Sequence, residues 1–320
     1  MVVVGGMTRL THSGLSIVEW QPIVGTLPPL DAAQWEETFS RYRETPEFRL
    51  RNHDMTLAGF KGIFWWEYFH RLLGRLVGVA FLLPFLYFLA RGAIGRRLAW
   101  RLAGIFVLGA LQGALGWYMV ASGLVDDPRV GSVRLAAHLG LAFAIYAAMF
   151  WLALGLLFPE RAQAPRGLRR HAGAAAALIF VMVLSGALVA AIRAGFAYNT
   201  FPLMNGQWIP DEILLIDPWW MNMIHNMATV QFVHRVLAMV IAVTVLALWW
   251  RIRADPSIAR QTRQWAHALL AVAAAQIAVG IATLLLRVPL PLAAIHQAGA
   301  VIVFTCALGL LHSLQERLQP

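Results

Sequence analysis

Seven apolar runs, at about 64–90, 102–122, 134–158, 172–194, 224–250, 265–286 and 291–314, constrain this chain more than any other feature. Each is long enough to cross the bilayer's hydrocarbon core as a helix, which takes roughly twenty apolar residues. Only 13% of the 320 residues are charged, where a soluble domain carries about a quarter, so the runs are membrane spans. The connections between them alternate in charge. Connection 91–101 carries Arg91, Arg96, Arg97 and Arg101, connection 159–171 carries Arg161, Arg166, Arg169 and Arg170, and connection 251–264 carries Arg251, Arg253, Arg260 and Arg263. Connection 123–133 holds Asp126 and Asp127, and 195–223 holds Asp211, Glu212 and Asp217. By the positive-inside rule the arginine-rich connections face the cytoplasm, and the polar stretch 7–62 faces outward. The net charge of +10 belongs to these loops, so no nucleic-acid partner is expected.

The single cysteine, Cys306, lies inside an apolar run. That excludes an intrachain disulfide and any cysteine-ligated cluster. No cleavable signal peptide is visible. Residues 1–6 are too short to span and read as the tail of a helix whose beginning is missing. Within 7–62 the sequence predicts one short amphipathic segment at Asp31–Arg43.

The chain repeats itself. His234 follows His70 by 164 residues, and the same offset carries Arg71 to Arg235, Gln112 to Gln276 and Gly116 to Gly280. His138 and His296 form a further pair, displaced only because the polar segment Val125–Ser132 has no counterpart in the second half. Arg9 and Arg193, each just beyond the end of a span, are another candidate pair. The expected fold is therefore an all-α integral membrane protein of two pseudo-symmetric four-helix transmembrane bundles, with the first helix largely missing. The halves are expected at 1–164 and 165–320.

An ionisable group inside a span is costly and by default functional. Each half offers two histidines at similar depth, toward the outer leaflet, on spans of the same direction. A zinc site wants a third or fourth ligand, usually with acids or thiols, and none is grouped here. Paired imidazoles suit a haem held edge-on, with one on each face of its iron. The halves differ at one position. Glu67 stands three residues before His70, close to one helical turn, and Gln231 holds the same slot before His234. Glu67 is either an interfacial charge or a functional acid on the histidine's face. Gln112 and Gln276 are either inter-helix glue or neighbours of a haem. Arg71 and Arg235 either snorkel to the interface or pair with haem propionates.

Three stretches carry a resemblance: Thr8-Arg9-Leu10-Thr11-His12-Ser13-Gly14-Leu15-Ser16-Ile17-Val18-Glu19-Trp20, then Glu67-Tyr68-Phe69-His70-Arg71, then Ala228-Thr229-Val230-Gln231-Phe232-Val233-His234-Arg235. They resemble the haem A synthases of the proteobacterial and mitochondrial branch, and the similarity covers essentially the whole chain. The resemblance implies eight helices in two bundles and oxidation of the C8 methyl of haem O to a formyl group, giving haem A for cytochrome oxidase. It implies that His70 and His138 serve the substrate haem, with Glu67 the functional acid, and that His234 and His296 ligate a permanent haem b. It also implies haem O arriving from a haem O synthase, an electron donor without a signature here, and oxidase assembly factors as neighbours. The outer-loop cysteine pair of Gram-positive relatives is missing. Two rival classes remain. A di-haem electron carrier with no chemistry on the haem predicts matched sites, against which Glu67 and Gln231 speak. A transporter with a histidine proton relay predicts broken helices at mid-membrane, and Gly and Pro are not clustered there.

Overall fold

The computed structural model describes residues 1–20, 24–124, 130–158 and 164–315. Asp126, Asp127 and Arg161, used above to orient the connections, lie outside the described residues. Helices dominate, and no β-strand occurs among the described residues beyond an isolated bridge between Met204 and Gln207. Among the described residues seven helices are long and apolar enough to cross a membrane. They are α4 (Leu57–Ala90), α5 (Arg96–Gly123), α6 (Ser132–Leu157), α7 (Arg166–Ala191), α9 (Met227–Ala254), α10 (Arg260–Leu285) and α11 (Leu290–Ser313). The shorter ones are α1 (Val2–Leu10), α2 (Ala32–Arg43), α3 (Pro46–Arg51) and α8 (Asn222–His225). The chain is a multi-pass membrane protein. Its contacts group Met1–Arg134 and Leu135–Pro320 as two units.

In the first unit α1 packs on α4 and α4 on α5. Residues 2–6 fall within α1, and Gly5 faces α4: a Cβ there would sit 2.8 Å from Cε1 of His70. The amphipathic segment is present as α2, capped by Asp31, whose carboxylate accepts from the Gln34 N–H at 2.8 Å. Helix α4 begins at Leu57, earlier than the apolar run at 64, with the Thr56 hydroxyl capping it. At 1.5 Å per residue its 34 residues reach about 51 Å, well beyond a hydrocarbon core. The surplus turns carry Phe60 and Phe64, which pack with Trp35, Phe39, Tyr42 and Tyr68 into an aromatic core over the span. Ring centroids 4.9 Å apart for Trp35–Phe64 and 5.1 Å for Tyr42–Phe60 are within the range of favourable aromatic pairing.

Glu47 lies buried, 3% exposed, next to this core. Tyr42 donates to it at 3.4 Å, and Asn52 donates to the Tyr42 hydroxyl at 2.7 Å. Burial, reinforced by the charge of Glu67 and opposed by Arg51, pushes the Glu47 carboxyl up to about 7 from 4.5. The folded chain therefore keeps a proton that the unfolded chain releases above about 4.5. Stability from this group falls as pH rises through the window 4.5 to 7, and the whole cost, about 3 kcal/mol, is present above it. Glu47→Gln is expected to raise the thermal stability of the outer segment at pH 8 and to change it little at pH 5. An equal effect at both pH values in a thermal melt would contradict this.

In the second unit α7, α9, α10 and α11 close a ring of neighbours, α7 on α9, α9 on α10, α10 on α11 and α11 on α7. Small side chains make the approach close. Helix α7 buries Ala172, Ala175, Ala176, Val183 and Ala187, and a Cβ on Gly309 of α11 would collide with the Trp265 ring of α10 at 2.8 Å. From Leu135 on, α6 belongs to this unit and meets α11 through Phe143 on Phe304 and a 2.6 Å hydrogen bond between Tyr146 and Thr305.

Candidate functional site: paired histidines and their braces

His234 lies in the N-terminal part of α9, and the helix starts where it does because Asn226 caps it, its amide oxygen accepting from the N–H groups of Ala228 (2.9 Å) and Thr229 (3.2 Å). His296 occupies the corresponding place in α11, which opens after Pro289. Each ring lies against a glycine: a Cβ on Gly186 would meet His234 Cε1 at 3.4 Å, and one on Gly280 would meet His296 Cε1 at 2.8 Å. Nδ1 of His234 shares a hydrogen bond with the Ser185 hydroxyl at 3.1 Å. Nδ1 of His296 is buried without a hydrogen-bond partner among the described residues. Gln276 braces the second histidine, its amide donating to the His296 carbonyl at 2.7 Å and tying α10 to α11.

These residues fit a haem. Two imidazoles stand on different helices, one has a serine hydroxyl 3.1 Å from its Nδ1, and the missing side chain of Gly280 leaves room beside the other. No group of three or more His, Cys, Asp or Glu able to hold a metal ion occurs among the described residues.

Glu67 is the acid of the first unit, and the structure shows what surrounds it. The residue is 2% exposed. One carboxylate oxygen accepts from the Ser16 hydroxyl at 2.7 Å and the Ile17 N–H at 2.8 Å. The other accepts from Nε and Nη2 of Arg71 at 3.0 and 2.6 Å. A carboxylate with charged and neutral donors on both oxygens sits in a site built for an anion. Arg71 goes further, donating to the carbonyls of Ile17 (2.8 Å) and Glu19 (3.0 Å), with Trp20 5.9 Å from its guanidinium. It straps the segment after α1 onto α4.

The second unit repeats the strap without the charge. Arg235 donates to Gln231 Oε1 (3.2 Å) and to the carbonyls of Tyr198 (2.9 Å), Pro202 (3.3 Å) and Leu203 (3.3 Å). Gln231, 3% exposed, spends its amide N–H on the Ala194 carbonyl at 2.8 Å. Both arginines thus hold the loop that follows the preceding helix, where snorkelling and propionate pairing had been the two sequence readings.

The remaining candidates take their places in the helices. His70 stands in α4 beside Gly5 of α1. Arg9 lies in the last turn of α1, and Arg193 follows α7 in a left-handed conformation (φ 57°). Gln112 lies in α5, and His138 in the α6 segment that groups with the second unit. The pairing of His138 with His70 rests on the sequence repeat. Ser16, Ser185, Gly5 and Gly186 were not singled out from the sequence. For Ser185 the available signal was a hydroxyl next to a glycine in an otherwise apolar run.

A family model described as cytochrome oxidase assembly protein matches residues 1–308. The chain is similar to proteins named haem A synthase from Nitrosospira multiformis, at 57% identity over 99% of this chain and 90% of the relative, and from Nitrosomonas eutropha, at 52% over 98% and 89%. A third, from Rhodospirillum centenum, is 51% identical over 98% of this chain and 84% of its own length. With the paired histidines and the model match over nearly its full length, this chain belongs to the COX15-CtaA family of cytochrome oxidase assembly proteins.

Proposed function

We propose that this chain makes haem A, oxidising the C8 methyl of haem O to a formyl group, and that its halves, 1–164 and 165–320, divide the work. The second half is the permanent cofactor site, with His234 and His296 as the axial ligands of haem b. A haem b bound there supplies an electron-transfer centre. The first half takes haem O, with His70 and His138 as the ligands by motif. The outer loops then face the periplasm, and both haem sites lie toward that side. Haem O comes from the enzyme that makes it, and haem A leaves for the assembling oxidase.

The observation that carries this reading is the unequal pair Glu67 and Gln231. Oxidation of a methyl group attached to a porphyrin develops positive character at that carbon, and a fixed anion nearby lowers the energy of that state. Glu67 supplies a full charge, held in one position by Ser16, Ile17 and Arg71. Gln231 occupies the equivalent slot with a neutral amide and the same arginine partner. The second half has no carboxylate in that slot, which suits a haem that only passes electrons.

Expression of the full chain in cells that make haem O but no haem A tests the function: haem A is expected in their membranes, and haem O alone would contradict it. Orientation has its own check. Ala33 and Ala93 are both exposed; Ala33→Cys is expected to react with an impermeant thiol reagent added to whole cells, and Ala93→Cys is not. The reverse pattern would invert the topology.

A further inference from the structure

A serine in a membrane helix ordinarily spends its hydroxyl on a carbonyl of its own preceding turn. Ser185 of α7 is 8% exposed, and its Oγ lies 3.1 Å from Nδ1 of His234 on the neighbouring helix α9. The next residue, Gly186, faces the same ring, where a Cβ would meet Cε1 at 3.4 Å, an ordinary van der Waals contact. A neutral imidazole carries one N–H and one lone pair, and the hydrogen bond at one nitrogen decides which atom keeps the lone pair. An oxygen accepting from Nδ1–H leaves the lone pair on Nε2.

We propose that Ser185 is a positioning residue for the haem of the second half, accepting a hydrogen bond from Nδ1–H of His234 and so fixing both the ring's orientation and its Nε2-ligating tautomer. The proposal rests on His234 and His296 being the ligands of a haem. Its consequence is an unequal pair of ligands. A hydrogen bond at Nδ1 makes the imidazole a stronger electron donor through Nε2, and His234 has one where His296 has none among the described residues. The stronger donor favours the ferric state, lowers the midpoint potential and slows loss of the haem.

The test compares the purified full-length chain with Ser185→Ala, Ser185→Thr and His234→Ala, reading haem b retention on washing, the midpoint potential of the b-type signal and the g values of its ferric low-spin spectrum. Ser185→Ala is expected to fold, since alanine is smaller and favours helix. It should lose haem about 10–100-fold more readily, with a more positive potential and altered g values. Ser185→Thr, which keeps a hydroxyl, should restore all three toward wild type. Wild-type retention, potential and g values in Ser185→Ala would overturn the proposal while His234→Ala still lost the signal. An unchanged signal in His234→Ala would overturn the haem assignment beneath it.

Discussion

Replacing His234 or His296 with alanine is expected to abolish the low-spin haem b spectrum while the chain still inserts in the membrane. Insertion depends on the apolarity of the spans, and one imidazole contributes little to it. On the proposed assignment the haem would depend on both rings, each supplying a ligand from its own helix. Losing even an outer-shell partner of a metal ligand costs about 10–100-fold in affinity, so losing the ligand itself should cost more. His70→Ala should leave the haem b spectrum in place, since His70 packs against α1 in the first unit. Haem extraction and a reduced-minus-oxidised spectrum read all three variants. Unchanged haem b content in His234→Ala and His296→Ala would remove the second half as its site.

Glu67→Gln should keep bound haem and lose most of the conversion of haem O to haem A, by about 10²–10⁴ in rate. The amide fills the same volume and can still accept from Arg71, as Gln231 does from Arg235 at 3.2 Å. It cannot satisfy Ser16 and Ile17 as a carboxylate does, and one unmade hydrogen bond costs about 1–3 kcal/mol locally. Ser16→Ala separates the two effects. It removes one neutral donor from Glu67 and leaves the charge and Arg71 in place. If the charge matters, Ser16→Ala retains most of the activity that Glu67→Gln loses. Full haem A production by Glu67→Gln would mean that the difference between the halves has nothing to do with catalysis.

The spans and the histidines were legible in the sequence because each has a local signature: an apolar run of membrane length, and a titratable residue inside it. The start of α4 was not. Residues 57–63 lie outside the apolar run, and what makes them helical is a cap at Thr56 and an aromatic face that packs on Trp35, Phe39 and Tyr42. The partners of Glu67 were hidden for another reason. Ser16 and Ile17 precede it by about fifty residues, and only the close packing of α1 on α4 brings the segment after α1 back to the acid. For Arg71 and Arg235 the sequence offered two outward destinations, the interface and a propionate. Several of their donors go to backbone carbonyls of the adjacent loops, a partner class that carries no sequence signature. Ser185 offered only a hydroxyl beside a glycine, a signal that does not single it out because most serines in membrane helices bond their own backbone.

The central claim is that one chain holds two chemically different haems, one kept and one converted. Pigment analysis of the purified full chain tests it most directly. The account predicts haem b together with haem O or haem A. Haem b as the sole pigment, filling both sites, would contradict it and make the chain a di-haem electron carrier.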